Sequence, residues 1–179
     1  MPRRHPIPRL WLMTDERSDA ALGAALARLP RDAGVVVRHH ATPLAERRAL
    51  LRAIARRHRG PVLGAGVLHG RDGRHNGRPR HGLYSRAVHD RRAAIAAVRA
   101  GADLIFVSPV FATRSHPGAR PLGVVGLARI IRGLAVPAIA LGGMDARRFR
   151  ALRRIGLHGW AGIDAWSAPK RQKRKAVPT

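Results

Sequence analysis

The chain has 179 residues, 45% of them hydrophobic, enough for one domain with a real core and too many for wholesale disorder. It contains no cysteine, which removes disulfides, thiolate zinc sites and thiol nucleophiles together. Thirty-five Lys+Arg against ten Asp+Glu give a net charge of +25, a balance that raises nucleic acid as a partner.

That charge is unusual in kind. Lysine occurs only at Lys170, Lys173 and Lys175, and the arginines are spread over every predicted helix rather than gathered on one face. Nucleic acid is therefore not expected as the main partner. The opening MPRRHPIPRLWLMTD is basic, but its apolar stretch is too short for a signal peptide and lacks a small-residue cleavage site. No run approaches the roughly 18 apolar residues of a membrane helix, so a cytoplasmic location is expected.

Along the chain, hydrophobic runs alternate with helical patterns, the signature of βα units and a parallel sheet. The first predicted strand is Leu10 to Thr14, followed by a helix over Asp19 to Leu29. Val35-Val36-Val37 reads as a buried second strand, and Thr42-Pro43 opens a helix through about His58. Arg48, Arg52 and Arg56 recur every four residues there, as on a solvated face. Gly60-Pro61 stops that helix, and Val62 to Leu68 forms a glycine-interrupted third strand. A polar loop is then expected from about His69 to His81.

Leu83 to Val88 is the fourth predicted strand, and Asp90 is placed to cap the helix that ends at Ala100-Gly101. Leu104 to Val107 is the fifth, followed by a long loop, Ser108 to Leu122. A helix over about Val124 to Gly133 leads to Val136–Leu141, and Asp145 caps the next helix. Gly159 to Ile163 is the seventh strand. The expected fold class is α/β, a (β/α)8 TIM-barrel type, shortened or irregular around residues 61–82. Residues 1–9 read as a basic extension, 10–166 as a single barrel domain, and 167–179 as a disordered basic tail.

In parallel βα folds the working residues follow the C-terminal ends of strands. Those positions hold Thr14-Asp15, Arg38-His39-His40, His69 with Asp72, His89, the loop from Ser108 to His116, Gly142-Gly143 and Asp164. His39-His40 reads as solvated, with no third metal ligand at a known spacing. The loop after the fifth strand is rich in hydroxyls and positive charge. Gly142-Gly143 precedes a helix, where backbone N–H groups can approach a phosphate. Together they point to a small phosphorylated ligand. Gly64-Ala-Gly66 is not a dinucleotide fingerprint, because its third glycine falls one residue late and no capped helix follows.

LWLMTD (10–15), VVVR (35–38), AVH (87–89), GADLIFVSPVFATRSHPGARPLG (101–123), PAIALGGM (137–144) and GWAGIDAW (159–166) fall in one order and spacing. The pattern resembles the thiamine phosphate synthase/TenI family of (β/α)8 barrels. The resemblance implies a thiamine-biosynthesis transferase that couples a hydroxymethylpyrimidine diphosphate to a hydroxyethylthiazole phosphate, releasing diphosphate with Mg²⁺. It places Arg38 on the diphosphate as a catalytic cation and Thr113 and Ser115 as hydroxyls on the same groups. Gly143, beside Gly142, takes the position whose backbone amide meets the thiazole phosphate.

Departures from the family pattern are equally specific. His40 and His116 stand where lysines are usual, Val36 where glutamine is, and Asp164 where a phosphate-binding serine is. Of the family's two metal aspartates the first has no counterpart, and Asp72 is the candidate for the second. The TenI branch offers a tautomerisation that needs no metal, with His89 at the position of its active histidine. A catalytically silent phosphate-ligand binder stays open beside it, as does a homo-oligomeric assembly. A polyanion binder acting through the basic surface and tail is the reading of a different class, testable by deleting residues 168–179.

Overall fold

The computed structural model describes residues 6–77, 81–113, 118–163 and 166. Eight parallel strands close into a barrel in sequence order: β1 (Leu10–Met13), β2 (Gly34–Val37), β3 (Val62–Ala65), β4 (Gly73–His75), β5 (Leu83–Val88), β6 (Leu104–Val107), β7 (Ala138–Ala140) and β8 (Gly159–Gly162). The closing seam pairs Leu10 with Trp160 and Leu12 with Gly162. Every strand has neighbours on both sides, so no sheet edge is left to be covered.

The interior is a packed column rather than a pore. Trp11, Met13, Val36, Leu63, Phe106 and Ile139 point inward and are buried, with the Trp11 and Phe106 rings edge to face at 5.4 Å. Alternate residues of the same strands face outward. Val35, Val37 and Val62 meet Leu51 and Ile54, while Ile105, Val107 and Ala140 meet Leu127 and Ile130. Burial on both faces explains why these strands read as continuous Val/Ile/Leu runs.

Five helices lie outside the barrel among the described residues: α1 (Asp19–Arg28), α2 (Leu44–Arg57), α3 (Arg91–Arg99), α4 (Gly123–Ile131) and α5 (Ala146–Leu152). The two aspartate caps form as expected: Asp90 accepts from the Ala93 amide at 2.7 Å and Asp145 from that of Arg148 at 2.8 Å. Arg48, Arg52 and Arg56 are exposed.

The irregularity does fall within residues 61–82, but its nature differs from expectation. The strand is present, and among the described residues no helix lies between β3 and β5. β4 lies inside the stretch expected to be loop, pairing Leu63 with Gly73 on one side and Gly73 with Leu83 on the other. Arg71 works where a helix would pack. Its guanidinium donates to the carbonyls of Ala55 at 2.7 Å, His58 at 3.0 Å and Gly60 at 2.6 Å, tying the β3–β4 turn to the C-terminus of α2.

Candidate functional site

The strand C-termini surround a cleft of about 480 Å³. Arg38 and His40 come from beyond β2, His75 and Asn76 from β4, His89 from beyond β5, and Ser108 and Thr113 from the loop after β6. Arg120, Leu141 and Gly142 complete the opposite wall, and no carboxylate is among the described lining residues. Two guanidiniums, three imidazoles, two hydroxyls and a glycine turn thus face one space. Such a lining suits an anion.

Arg38 is held from behind. Its Nη2 donates to Asp15 Oδ2 at 3.0 Å, and its backbone N–H donates to Thr14 Oγ1 at 3.1 Å. Asp15 also takes Arg17 Nε at 2.6 Å and caps the 3-10 turn Glu16–Ser18. Burial pushes the Asp15 carboxyl up, but hydrogen bonds and charge from Arg17, with the charge of Arg38, outweigh it and hold the group below its ordinary value. Arg38 Nε is buried and finds no acceptor among the described residues.

The imidazoles differ in state. His75 is 3% exposed, its Nδ1 lies 3.0 Å from Ser85 Oγ, and its ring meets Phe106 edge to face. Burial, with Arg38, His40 and Arg86 nearby, pushes it down to about 3, so it is neutral at pH 7. Burial and then the Arg38 and Arg47 charges lower His40 as well. His89 is exposed at the cleft, and its Nδ1 lies 2.7 Å from the Ser108 carbonyl. A carbonyl only accepts, so Nδ1 carries the proton, and in the neutral ring Nε2 is left as the base.

Gly142 and Gly143 have φ of +93° and +60°. A Cβ on Gly142 would sit 2.8 Å from Pro109 Cα, and one on Gly143 2.6 Å from the Ala112 carbonyl oxygen. The turn is therefore glycine on two counts, backbone conformation and close approach to the β6 loop. Phe111 N donates to Gly142 O at 3.0 Å, and Arg148 lies over the Phe111 ring at 4.6 Å while donating to Gly143 O.

Of the residues expected to form the site, Arg38, His89, Thr113 and Gly142 line one cleft, with Gly143 adjoining. Ser115, His116 and Asp164 lie outside the described residues, as does the tail 167–179. Asp72 is a correction. It precedes β4, at the N-terminal end of the barrel, and its Oδ2 accepts from Val62 N and Arg71 Nε, each at 2.8 Å. It is part of the fold's closure and is turned away from the cleft. His39 is a second correction, being buried rather than solvated. The contributions of His75 and Asn76 went unseen because the strand carrying them did.

The Mg²⁺ implied by the resemblance needs oxygen ligands, chiefly carboxylates. Among the described residues no group of three or more His, Asp or Glu side chains could hold a metal. Asp15, the acid bonded to Arg38, is already engaged by two guanidiniums. These residues do not fit the ion.

A closed eight-stranded parallel barrel with a cation-lined cleft at its strand C-termini defines a TIM-barrel-like α/β protein. A family model described as thiamine monophosphate synthase matches residues 80–166. Thiamine-phosphate synthases of Chloroflexus aurantiacus and Methanoregula boonei are 36% identical over 84 residues and 43% over 67 residues. These matches cover 46% and 37% of this chain but only 39% and 31% of those proteins. The thiamine phosphate pyrophosphorylase structure from Pyrococcus furiosus superposes with a TM-score of 0.70 at 22% identity, covering 88% of this chain and 86% of that one. Over residues 80–166 the chain is thus similar to the thiamine monophosphate synthase/TenI family. It spans about two fifths of the length of the curated relatives it matches.

Proposed function

We propose that the cleft binds a phosphorylated thiazole and that His89 moves a proton on it, a TenI-like tautomerisation of a thiazole carboxylate phosphate. The observation that carries this reading is the Nδ1 contact of His89 to the Ser108 carbonyl, which leaves Nε2 as a base at a cation-lined cleft. The proton leaves one position of the bound ring system for Nε2 and returns to another, so nothing is gained or lost. Arg38, Thr113 and the Gly142-Gly143 turn hold the phosphate and fix the ring against the imidazole. Removing a positioned acid/base usually costs about 10²- to 10⁴-fold in rate.

A second reading, the coupling of a hydroxymethylpyrimidine diphosphate to the thiazole phosphate, is favoured by the names of the relatives. Arg38 would then stabilise the leaving diphosphate. Both readings place the protein with small cytoplasmic metabolites rather than polymers. One experiment separates them. The protein is given the thiazole carboxylate phosphate and tautomer conversion is followed, while a parallel reaction contains pyrimidine diphosphate, thiazole phosphate and Mg²⁺. Conversion that falls at least 100-fold in His89→Gln, while thiazole phosphate still raises the melting temperature, supports the first reading. Thiamine phosphate formation that survives His89→Gln and disappears in Arg38→Ala overturns it in favour of the second.

A further inference from the structure

We propose that the cleft neutralises its anion without a divalent cation: Arg38 and Arg120 supply fixed charge, and His40 supplies the rest by taking up a proton as the anion binds. The inference rests on the reading that the cleft takes a phosphorylated ligand, and it adds how the charge of that ligand is balanced.

The distribution of acids carries the first half. The chain has ten carboxylates. Asp90 and Asp145 cap helices, Asp103 accepts from Tyr84 N at the start of β5, and Asp72 closes the opposite end of the barrel. At the cleft end, Asp19 is bonded to His39 Nε2 at 2.6 Å and Glu16 accepts from Ala41 N at 2.7 Å. Asp15 is committed to Arg17 and Arg38. Asp32 and Glu46 lie on the exposed surface, and Asp164 is the one acid outside the described residues. Meanwhile Arg38 keeps a buried Nε–H without an acceptor among the described residues, which a phosphate oxygen would satisfy.

The second half follows from what surrounds His40. It lines the same cleft two residues beyond Arg38, and the charged groups around it are Arg38, Arg47, Glu16 and Asp15, with His75 also close. Burial and the two guanidiniums disfavour its protonation in the empty cleft. An anion placed among these groups reverses the local field, so the same imidazole gains a proton with the ligand. A lysine would carry that charge permanently, whereas histidine carries it only when the anion is present.

The test is calorimetric titration with inorganic pyrophosphate near pH 7, in buffers of different ionisation enthalpy, once with EDTA and once with Mg²⁺. Binding is expected in EDTA, with added Mg²⁺ leaving the apparent affinity unchanged or weaker because it complexes free pyrophosphate. Wild type should take up more protons per anion than His40→Asn, the ligand's own proton exchange cancelling in that difference. Arg38→Ala should weaken binding at least tenfold. Binding seen only with Mg²⁺ overturns the metal-free site, and equal proton uptake in wild type and His40→Asn overturns the histidine's part. Both results leave the phosphate-ligand reading standing. Failure of pyrophosphate and of the thiazole phosphate to bind under any condition removes both.

Discussion

Thr14 Oγ1 and His39 Nδ1 lie 2.8 Å apart in the wall between β1 and β2, each residue 1% exposed. The relationship extends at both ends: His39 Nε2 meets Asp19 Oδ1 at 2.6 Å, and Thr14 Oγ1 accepts the Arg38 amide. His39 has φ of +39°, a left-handed conformation that a non-glycine residue adopts only when its surroundings hold it there. In this hydroxyl–imidazole–carboxylate chain the hydroxyl and imidazole are buried while the Asp19 carboxylate reaches solvent, and none of the three residues lines the cleft. Its work is to fix the end of β2, and hence the direction of Arg38.

Thr14→Val should therefore destabilise the fold although it conserves shape. It leaves the Arg38 N–H and His39 Nδ1 buried without their partner, which costs about 1–3 kcal/mol. Urea unfolding at pH 7 measures this. A loss under about 0.5 kcal/mol would mean that the chain is dispensable to the fold.

Gly34→Ala tests the packing of the barrel column. A Cβ at Gly34 would stand 2.2 Å from Trp11 Cε3. The indole cannot retreat, because its Nε1 donates to Pro8 O at 2.8 Å and its ring sits against Phe106. Overpacking of this kind costs roughly 1–3 kcal/mol or more, read as a lower melting temperature. An unchanged melting temperature would show that the column is looser than this geometry.

How much of this was legible in the sequence depended on what each residue answers to. Strands buried on both faces, such as Val35–Val37 and Leu104–Val107, announce themselves by composition, and the Asp90 and Asp145 caps by position. β4 does not. Gly73-Arg74-His75 has no β-branched residue and exists because β3 and β5 supply ladder partners on both sides. Its loss from the sequence reading took His75 and Asn76 with it. It also left Asp72 to be read as following the C-terminal end of the third strand, although it precedes β4 at the opposite end of the barrel. Arg38, His89, Thr113 and Gly142, singled out because they follow strand C-termini, do line one cleft. His39 was misjudged because nothing in a His-His pair reveals which ring turns inward.

Asp72→Asn separates those two accounts of Asp72 directly. A metal ligand would show itself in the response to Mg²⁺. A closure residue would show itself in stability, since the amide weakens the bonds to Val62 N and Arg71. The side chain is 26% exposed and its partner Arg71 38%, so screening limits the loss to about 1 kcal/mol. We expect that loss in a denaturant melt, with pyrophosphate binding in Mg²⁺ and in EDTA unchanged. Binding that becomes sensitive to Mg²⁺ only in wild type would restore the metal role.

His75 predicts the acid limb of the stability curve. Its ordinary value is 6.5, and burial first, then the charges of Arg38, His40 and Arg86, bring it to about 3 in the folded chain. Above about pH 6.5 the ring is neutral in both states and there is no penalty. Below that the unfolded chain takes a proton that the folded chain refuses, so stability falls with falling pH until about pH 3. The full slope of one such proton is roughly 1.4 kcal/mol per pH unit. Asp15 adds loss of the same sign only at lower pH, because its carboxyl is held below an ordinary value of 3.8. His40, also lowered, adds loss of the same sign between pH 6.5 and 4.5, so the His75 share is read in urea melts as a difference between variants. His75→Gln keeps a neutral polar group near Ser85 but cannot titrate, so its stability should fall less steeply across that window than wild type. Parallel profiles would mean that the ring is protonated in the folded barrel, and that the interior tolerates a charge beside Arg38.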